Sequence, residues 1–364
     1  MSTAYLILEN GKVFKGESFG FDGEAEGELV FTTDMVGCLE TLTNPCYCGQ
    51  IVVQTFPAAG NYGVIPANFE SDNVWPKAYI VREWCQEPSN FRSEGDLDAF
   101  LKSKGVPGLC GIDTRALARI IRDSGVINAR ISKNSVLTSS ELASLMAYKV
   151  TGCVSEVSTK TPYYINGGAD ARYNIVVWDF GVKKSMLNTL QAMGCYLAVV
   201  PADTPARKIT ALRPDGIVLS GGPGDPAENE DIIREIWTLS KNEFPTFAVG
   251  LGHQMLALAR GAKTERLPCG HCGSNHPVMD KYTGKVFITS QHHCYAVSAD
   301  GLPNALNANY INCNDGSCEG LEYADLPAFS VQFDPVCCAG DPDANWLYRK
   351  FLDLVDTCMI GGGD

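Results

Sequence analysis

From residue 173 onward, short runs of Val, Ile, Leu and Phe alternate with helical patterns. This alternation restricts the second half of the chain to one kind of fold. Strands are expected over 174–178, 196–201, 216–220, 246–249, 286–289 and 328–331, and helices over 183–193, 231–240 and 254–260, with a short helix or turn at 209–212. Each strand that returns through a helix must lie parallel to the one before it, so the expected architecture is α/β, a doubly wound parallel sheet covered on both faces. Ligands of such sheets bind beyond the C-terminal ends of the strands. Two Gly-rich turns fall there: Ser220-Gly-Gly-Pro-Gly-Asp-Pro226 and Gly250-Leu-Gly-His253.

The first 150 residues read differently, as a mixed β-rich domain. Strands are expected over 6–13 and 28–33, turns at Asn44-Pro45 and Gly60-Asn-Tyr-Gly63, and helices over 96–104 and 114–123, the second capped by Asp113 or Thr114. Residues 151–172, rich in Ser, Thr and Gly, are expected to be the inter-domain linker. At 364 residues the chain is long enough for two cores.

Composition excludes several classes of function. The formal charge of −13 opposes nonspecific nucleic-acid binding, which needs cationic surface. No apolar run approaches the ~20 residues of a membrane span, and the N-terminus lacks a basic, apolar leader, so a cytoplasmic protein is expected. Fifteen cysteines, an odd number in a large chain, read as reduced, packed thiols rather than a disulfide framework.

The segment 245–260 is a strand, a sharp turn and a helix. Hydrolytic α/β enzymes expose a nucleophile at such a turn, where the helix N-terminus favours a thiolate. The tip here is Gly250, which has no side chain. In Ser220–Pro226 the glycines let backbone N–H groups approach a ligand closely, although a plain tight loop explains that motif equally well on its own.

Taken together, Asp179-Phe-Gly-Val-Lys-Lys-Ser185, Ser220–Pro226, Gly250–Gln254 and Gln332-Phe-Asp-Pro335 resemble the class I glutamine amidotransferases. Thr43-Asn-Pro-Cys-Tyr-Cys-Gly-Gln-Ile51, Gly60–Gly63 and Gly111-Ile-Asp-Thr-Arg-Ala-Leu117 narrow the resemblance to the small, glutaminase subunits of carbamoyl phosphate synthetases. The likeness spans roughly residues 4–355. It implies the small-subunit N-terminal domain over 1–150 and a flavodoxin-like class I amidotransferase domain over 173–357. It also implies a heterodimer with a large subunit, on which ATP and Mg are expected, and a place in pyrimidine and arginine precursor synthesis. No cofactor is expected in this chain.

The family hydrolyses glutamine with a Cys-His-Glu triad, and carried over residue by residue this sequence departs at all three positions. The cysteine is Gly250, the histidine is Asp334 and the glutamate is Val336. Glycine cannot attack, valine cannot orient an imidazole, and aspartate is a poor proton shuttle near neutral pH. The familiar glutaminase chemistry is therefore expected to be absent, leaving a docking or regulatory subunit. The family's glutamine contacts map to Cys46, Gly222, Gly224, Leu251, Gln254, His292, Cys294 and Tyr295. Cys46 replaces a serine and Cys294 a glycine, so glutamine binding is expected to be weakened.

Two other readings compete. Cys294 or Cys46 could act as a relocated nucleophile with His293 as base, although neither sits at the elbow. The segments Cys269-Gly-His271-Cys272, His292-His293-Cys294 and Asp334-Pro-Val-Cys337-Cys338, with His276, hold metal-capable groups. They lack the paired Cys-x₂-Cys spacing of a structural zinc site, and no metal is expected. Asp113, Arg115 and Arg119 read as a capped, solvated helix face or as a contact for the large subunit. Lys183 and Lys184 read as solvated loop cations, and Asp225 as a turn residue.

Overall fold

The computed structural model describes residues 2–168, 171–336 and 346–361. Two compact units emerge, one of residues 1–151 with Leu267–Gly273, the other of 152–266 with 274–364.

The first unit is built on a closed seven-stranded barrel. Its order is Thr3–Leu8, Val13–Gly20, Pro107–Cys110, Ala78–Ile80, Gln50–Gln54, Ala25–Thr32 and Ile127–Ser132. Leu6, Leu8, Leu29, Ile51, Val53, Ile80, Leu109 and Ile131 fill its interior. The single strand expected over 6–13 is instead two strands joined by a hairpin. Asn10-Gly11 forms the turn, with Gly11 at φ 83°, its N–H donating to the Leu8 carbonyl at 2.9 Å and the Asn10 side chain accepting from the Lys12 N–H at 3.1 Å. An Asn-Gly pair overrides the apolar run because it supplies the positive φ that a hairpin turn requires. The helix Thr114–Ser124 buries Leu117 and Ile121, four residues apart, and leaves Arg115 and Arg119 exposed. Asp113 caps it, accepting from the Ala116 N–H at 2.9 Å.

The second unit holds the doubly wound sheet. Cys195–Pro201, Tyr173–Asp179, Gly216–Leu219, Thr246–Val249 and Ala328–Val331 lie side by side and all parallel. The sheet then continues through antiparallel Cys318–Tyr323, Val286–Val297, Thr264–Asp280 and Leu306–Asn312. Alternation along the strand Tyr173–Asp179 divides the core: Val176 and Trp178 pack with Ile209, Ile236 and Met255 on one face, Ile175 and Val177 with Leu187, Leu190 and Phe351 on the other. Both faces are thereby covered by helices, as the strand–helix alternation requires.

The antiparallel extension is only partly anticipated by sequence. The strand Thr264–Asp280 contains Pro268, Gly270, Gly273 and Pro277, which hide its periodicity. The segment 151–172 carries more structure than a connection. It contains the helix Cys153–Val157 and the strand Tyr163–Ile165, which pairs antiparallel with Cys195–Pro201, with Tyr164 stacked on Tyr196 at 6.1 Å. Aromatic residues suit an edge strand even beside a Gly-rich stretch. None of the 13 described cysteines is in a disulfide, and burial pushes Cys38 and Cys318 up to about 11 and Cys195 up to about 12. These are packed, unreactive thiols. Among the described residues no helix is long and apolar enough to cross a membrane.

Candidate functional site

Four chain segments leave the C-terminal ends of four neighbouring parallel strands: 180–183, 220–224, 250–254 and 332–336. They bring Gly250, Asp334, Val336, Gly222, Gly224, Leu251 and Gln254 to one edge of the sheet. His292, Cys294 and Tyr295 lie on the strand Val286–Val297 of the same unit. Cys46 belongs to the other unit, in the short 3₁₀ helix Pro45–Tyr47, where its N–H donates to Asn44 Oδ1 at 3.0 Å.

Gly250 has φ 55° and ψ −113°, and its N–H donates to the Val331 carbonyl at 2.9 Å. The helix Leu251–Ala259 starts at the very next residue, three residues earlier than the sequence suggests. Gly252 is therefore helical rather than part of a loop. A Cβ on Gly252 would lie 2.5 Å from the Leu219 carbonyl oxygen, so glycine is needed there for close packing of helix on strand. At Gly250 the situation is reversed. A Cβ would have its nearest neighbour, Gly221 Cα, at 3.4 Å, and Gln332 O at 3.8 Å. The turn at Gly250 thus combines a strained, positive-φ backbone with open space where a Cβ would project.

The loop beside the elbow is held rigidly. Ser220 is fully buried; its Oγ accepts from the Phe180 N–H and donates to the Gly221 carbonyl, both at 2.9 Å. A Cβ on Gly222 would meet Phe180 O at 2.2 Å. Gly222→Ala should therefore lower stability by about 1–3 kcal/mol through overpacking, read as a drop in denaturation midpoint. Asp225 is a cap, accepting from the Ala227 N–H at 2.9 Å.

Lys183 corrects the sequence reading. It is not solvated: it is 6% exposed and its ammonium pairs with the Asp334 carboxylate. The turn that delivers it is fixed by Asp179, whose Oδ1 accepts from the Gly181 and Val182 N–H groups at 2.9 and 2.8 Å. Asp334 is anchored on its own side as well. Its N–H donates to the Ser290 carbonyl at 2.9 Å, and its Oδ1 accepts from the Val336 N–H at 3.0 Å. Val336 is half-buried against the apolar cluster under the helix Trp346–Gly361. Positions 334 and 336 therefore hold one half of a Lys–Asp ion pair and a packed valine.

Gln254 is also committed internally. Its Nε2 donates to the Tyr295 carbonyl at 2.6 Å and to Gln332 Oε1 at 2.8 Å, which uses both hydrogens. Burial, and the Asp225 carboxylate, push the Tyr295 phenol up. His293 has Nδ1 2.8 Å from the Tyr295 carbonyl and Nε2 3.2 Å from Gln291 Oε1.

Sequence reasoning missed two buried groups here. Glu319 is fully buried, accepts from Asn312 Nδ2 at 3.1 Å, and has a carboxylate oxygen within 4.8 Å of a His293 ring nitrogen. His253 is fully buried, with Nδ1 2.7 Å from Ser330 Oγ; burial holds its pKa down at about 3. No spacing marks either as a site: His253 falls inside the Gly-rich turn and Glu319 inside a short strand beside Gly320. Of the metal-capable segments, Cys337 and Cys338 lie outside the described residues.

Comparisons with known proteins place the chain in a family. Residues 6–131 match the profile of the carbamoyl-phosphate synthase small chain, CPSase domain, and residues 176–354 that of the class-I glutamine amidotransferases. The small chain of carbamoyl phosphate synthase from Syntrophotalea carbinolica is 43% identical, covering 97% of this chain and 98% of that one. The small chain from Bacillus cereus is 44% identical, covering 97% and 96%. The chain belongs to the carbamoyl phosphate synthase small chain family. Within it, the second unit is the class I glutamine amidotransferase domain. A solved structure of a glutamine amidotransferase from Thermotoga maritima matches at 17% identity and a TM-score of 0.37, covering 52% of this chain and 86% of that one.

Proposed function

We propose that this chain is a carbamoyl phosphate synthase small subunit that no longer hydrolyses glutamine. It would dock on a large subunit, which it stabilises or gates, while ammonia arrives from solution. The observation that carries this reading is the edge itself: the elbow has no side chain at Gly250, Asp334 is paired with Lys183, and Val336 is packed in apolar surroundings. Acyl transfer from an amide needs a nucleophile, a group that carries its proton to the leaving ammonia, and a partner that orients that group. None of the three roles has an occupant at its expected position. His292 and Cys294 alter the glutamine contacts further, so affinity falls as well as turnover. ATP and Mg belong to the large subunit.

The test is glutamate release from glutamine by the purified chain, alone and with a synthase large subunit. Release at the buffer rate, with ammonia-dependent carbamoyl phosphate formation intact in the complex, is expected. Release that disappears on Cys294→Ser or Cys46→Ser would overturn the proposal and assign the nucleophile to a displaced thiol.

A further inference from the structure

The strand preceding Lys183 and the strand preceding Asp334 are not neighbours. In the sheet order, Tyr173–Asp179 and Ala328–Val331 are separated by Gly216–Leu219 and Thr246–Val249. That is three strand spacings of ~4.8 Å, about 14 Å of sheet edge. The two intervening strands are the ones that end in Ser220-Gly221-Gly222 and in Gly250-Leu251. Contact between Lys183 and Asp334 therefore ties together the two flanks of the crevice into which both Gly-rich loops open. The pair is nearly enclosed, with the Lys183 and Asp334 side chains 8% and 13% exposed.

A second closure lies beside the first. Both Gln254 amide hydrogens are spent on protein acceptors, Tyr295 O and Gln332 Oε1. Gln332 is 4% exposed and is two residues from Asp334, so one segment supplies both the anion of the tie and the acceptor for Gln254. A ligand carboxamide or carboxylate entering this crevice would have to displace partners already in place.

We propose that the Lys183–Asp334 pair, supported by Gln332 on Gln254, is an autoinhibitory tie that keeps the crevice closed to α-amino acid carboxamides such as glutamine. This rests on the reading of the edge as a former glutamine site. Hydrolysis is lost for want of a nucleophile at position 250; weak binding follows from the tie, in addition to the altered contacts at His292 and Cys294. Buried ion pairs contribute little net stability, and in some proteins they fix one arrangement over others, the role proposed here.

Equilibrium dialysis of the full chain against radiolabelled L-glutamine tests this, with glutamate release followed in parallel. Wild type should bind weakly. Asp334→Asn, which removes the charge but keeps an oxygen for the Val336 N–H, and Gln332→Ala should each raise affinity at least about tenfold without glutamate release. Wild type binding as tightly as the variants overturns the tie. So do folded variants whose thermal midpoint falls while affinity stays unchanged, since that is what a purely structural pair would give. If Asp334→Asn does not fold, Lys183→Met with Asp334→Leu, which preserves volume without charge, is held to the same criterion. Glutamate release by wild type is a distinct outcome: it sinks the former-glutaminase reading, whereas unchanged affinity sinks only the tie.

Discussion

Glutamate release from glutamine is expected to rise by on the order of 10³-fold when Gly250→Cys, Asp334→His and Val336→Glu are combined, measured with a large subunit present. Restoring only the cysteine should give far less. A thiol at position 250 would sit at the N-terminus of the helix Leu251–Ala259, where the helix field favours thiolate. The backbone already has the required φ of 55°, and the nearest atom to a new Cβ is 3.4 Å away. A thiolate alone can attack, but it cannot give the departing ammonia its proton, and with Asp334 left in place that proton has no carrier. A complete triad is worth roughly 10⁶ in a serine protease, and its members act as a unit, which is why the single change should recover little. On the proposed reading, the recovery should stay below the full value because positions 292 and 294 carry His and Cys where the resemblance maps glutamine contacts. Adding Cys294→Gly should lower KM more than it changes kcat, since a smaller residue there relieves crowding rather than supplying chemistry. A triple variant that is folded, binds glutamine and still works at the buffer rate would show that Gly250 is not the vacated nucleophile position.

The residues that make this experiment possible were legible in the sequence to different degrees. The parallel core was, because each buried strand is an unbroken apolar run and each return passes through a helix. Val176, Trp178, Ile217, Leu219, Phe247 and Val331 all face the core. The elbow was legible as a turn but not in detail. Gly250 and Gly252 look alike in sequence, yet one is an empty tip and the other is a packing contact that a Cβ would break. The N-terminal barrel was legible only as β-rich: its closure depends on pairing between distant segments, such as Thr3–Leu8 with Ile127–Ser132, that no local pattern records. Lys183 misled for a related reason. A lysine after a Gly turn is ordinarily solvated, whereas here it is buried in an ion pair with an aspartate about 150 positions away. Long-range charge pairing of this kind has no local signature.

Acid sensitivity should trace to His253. It is fully buried, its Nδ1 is 2.7 Å from Ser330 Oγ, and Nε2 has no hydrogen-bond partner among the described residues. Desolvation therefore disfavours the charged ring and holds its pKa at about 3, against 6.5 in the unfolded chain. Above pH 6.5 the ring is neutral in both states and its contribution to stability is complete. Below 6.5 the unfolded chain takes up a proton that the folded one refuses, so stability is lost progressively as pH falls toward 3. Each unit in that window costs up to about 1.4 kcal/mol, so roughly 2 kcal/mol should be gone by pH 5. That upper part of the window precedes the protonation of most carboxylates, which separates this histidine from general acid denaturation. Thermal unfolding of wild type and His253→Gln between pH 8 and 5 checks it. The variant should be less stable at pH 8, because packing around an enclosed imidazole is disturbed, but its midpoint should decline less on acidification. Parallel curves for the two proteins would mean that the proton is taken up elsewhere and that His253 is not the group coupling the fold to pH.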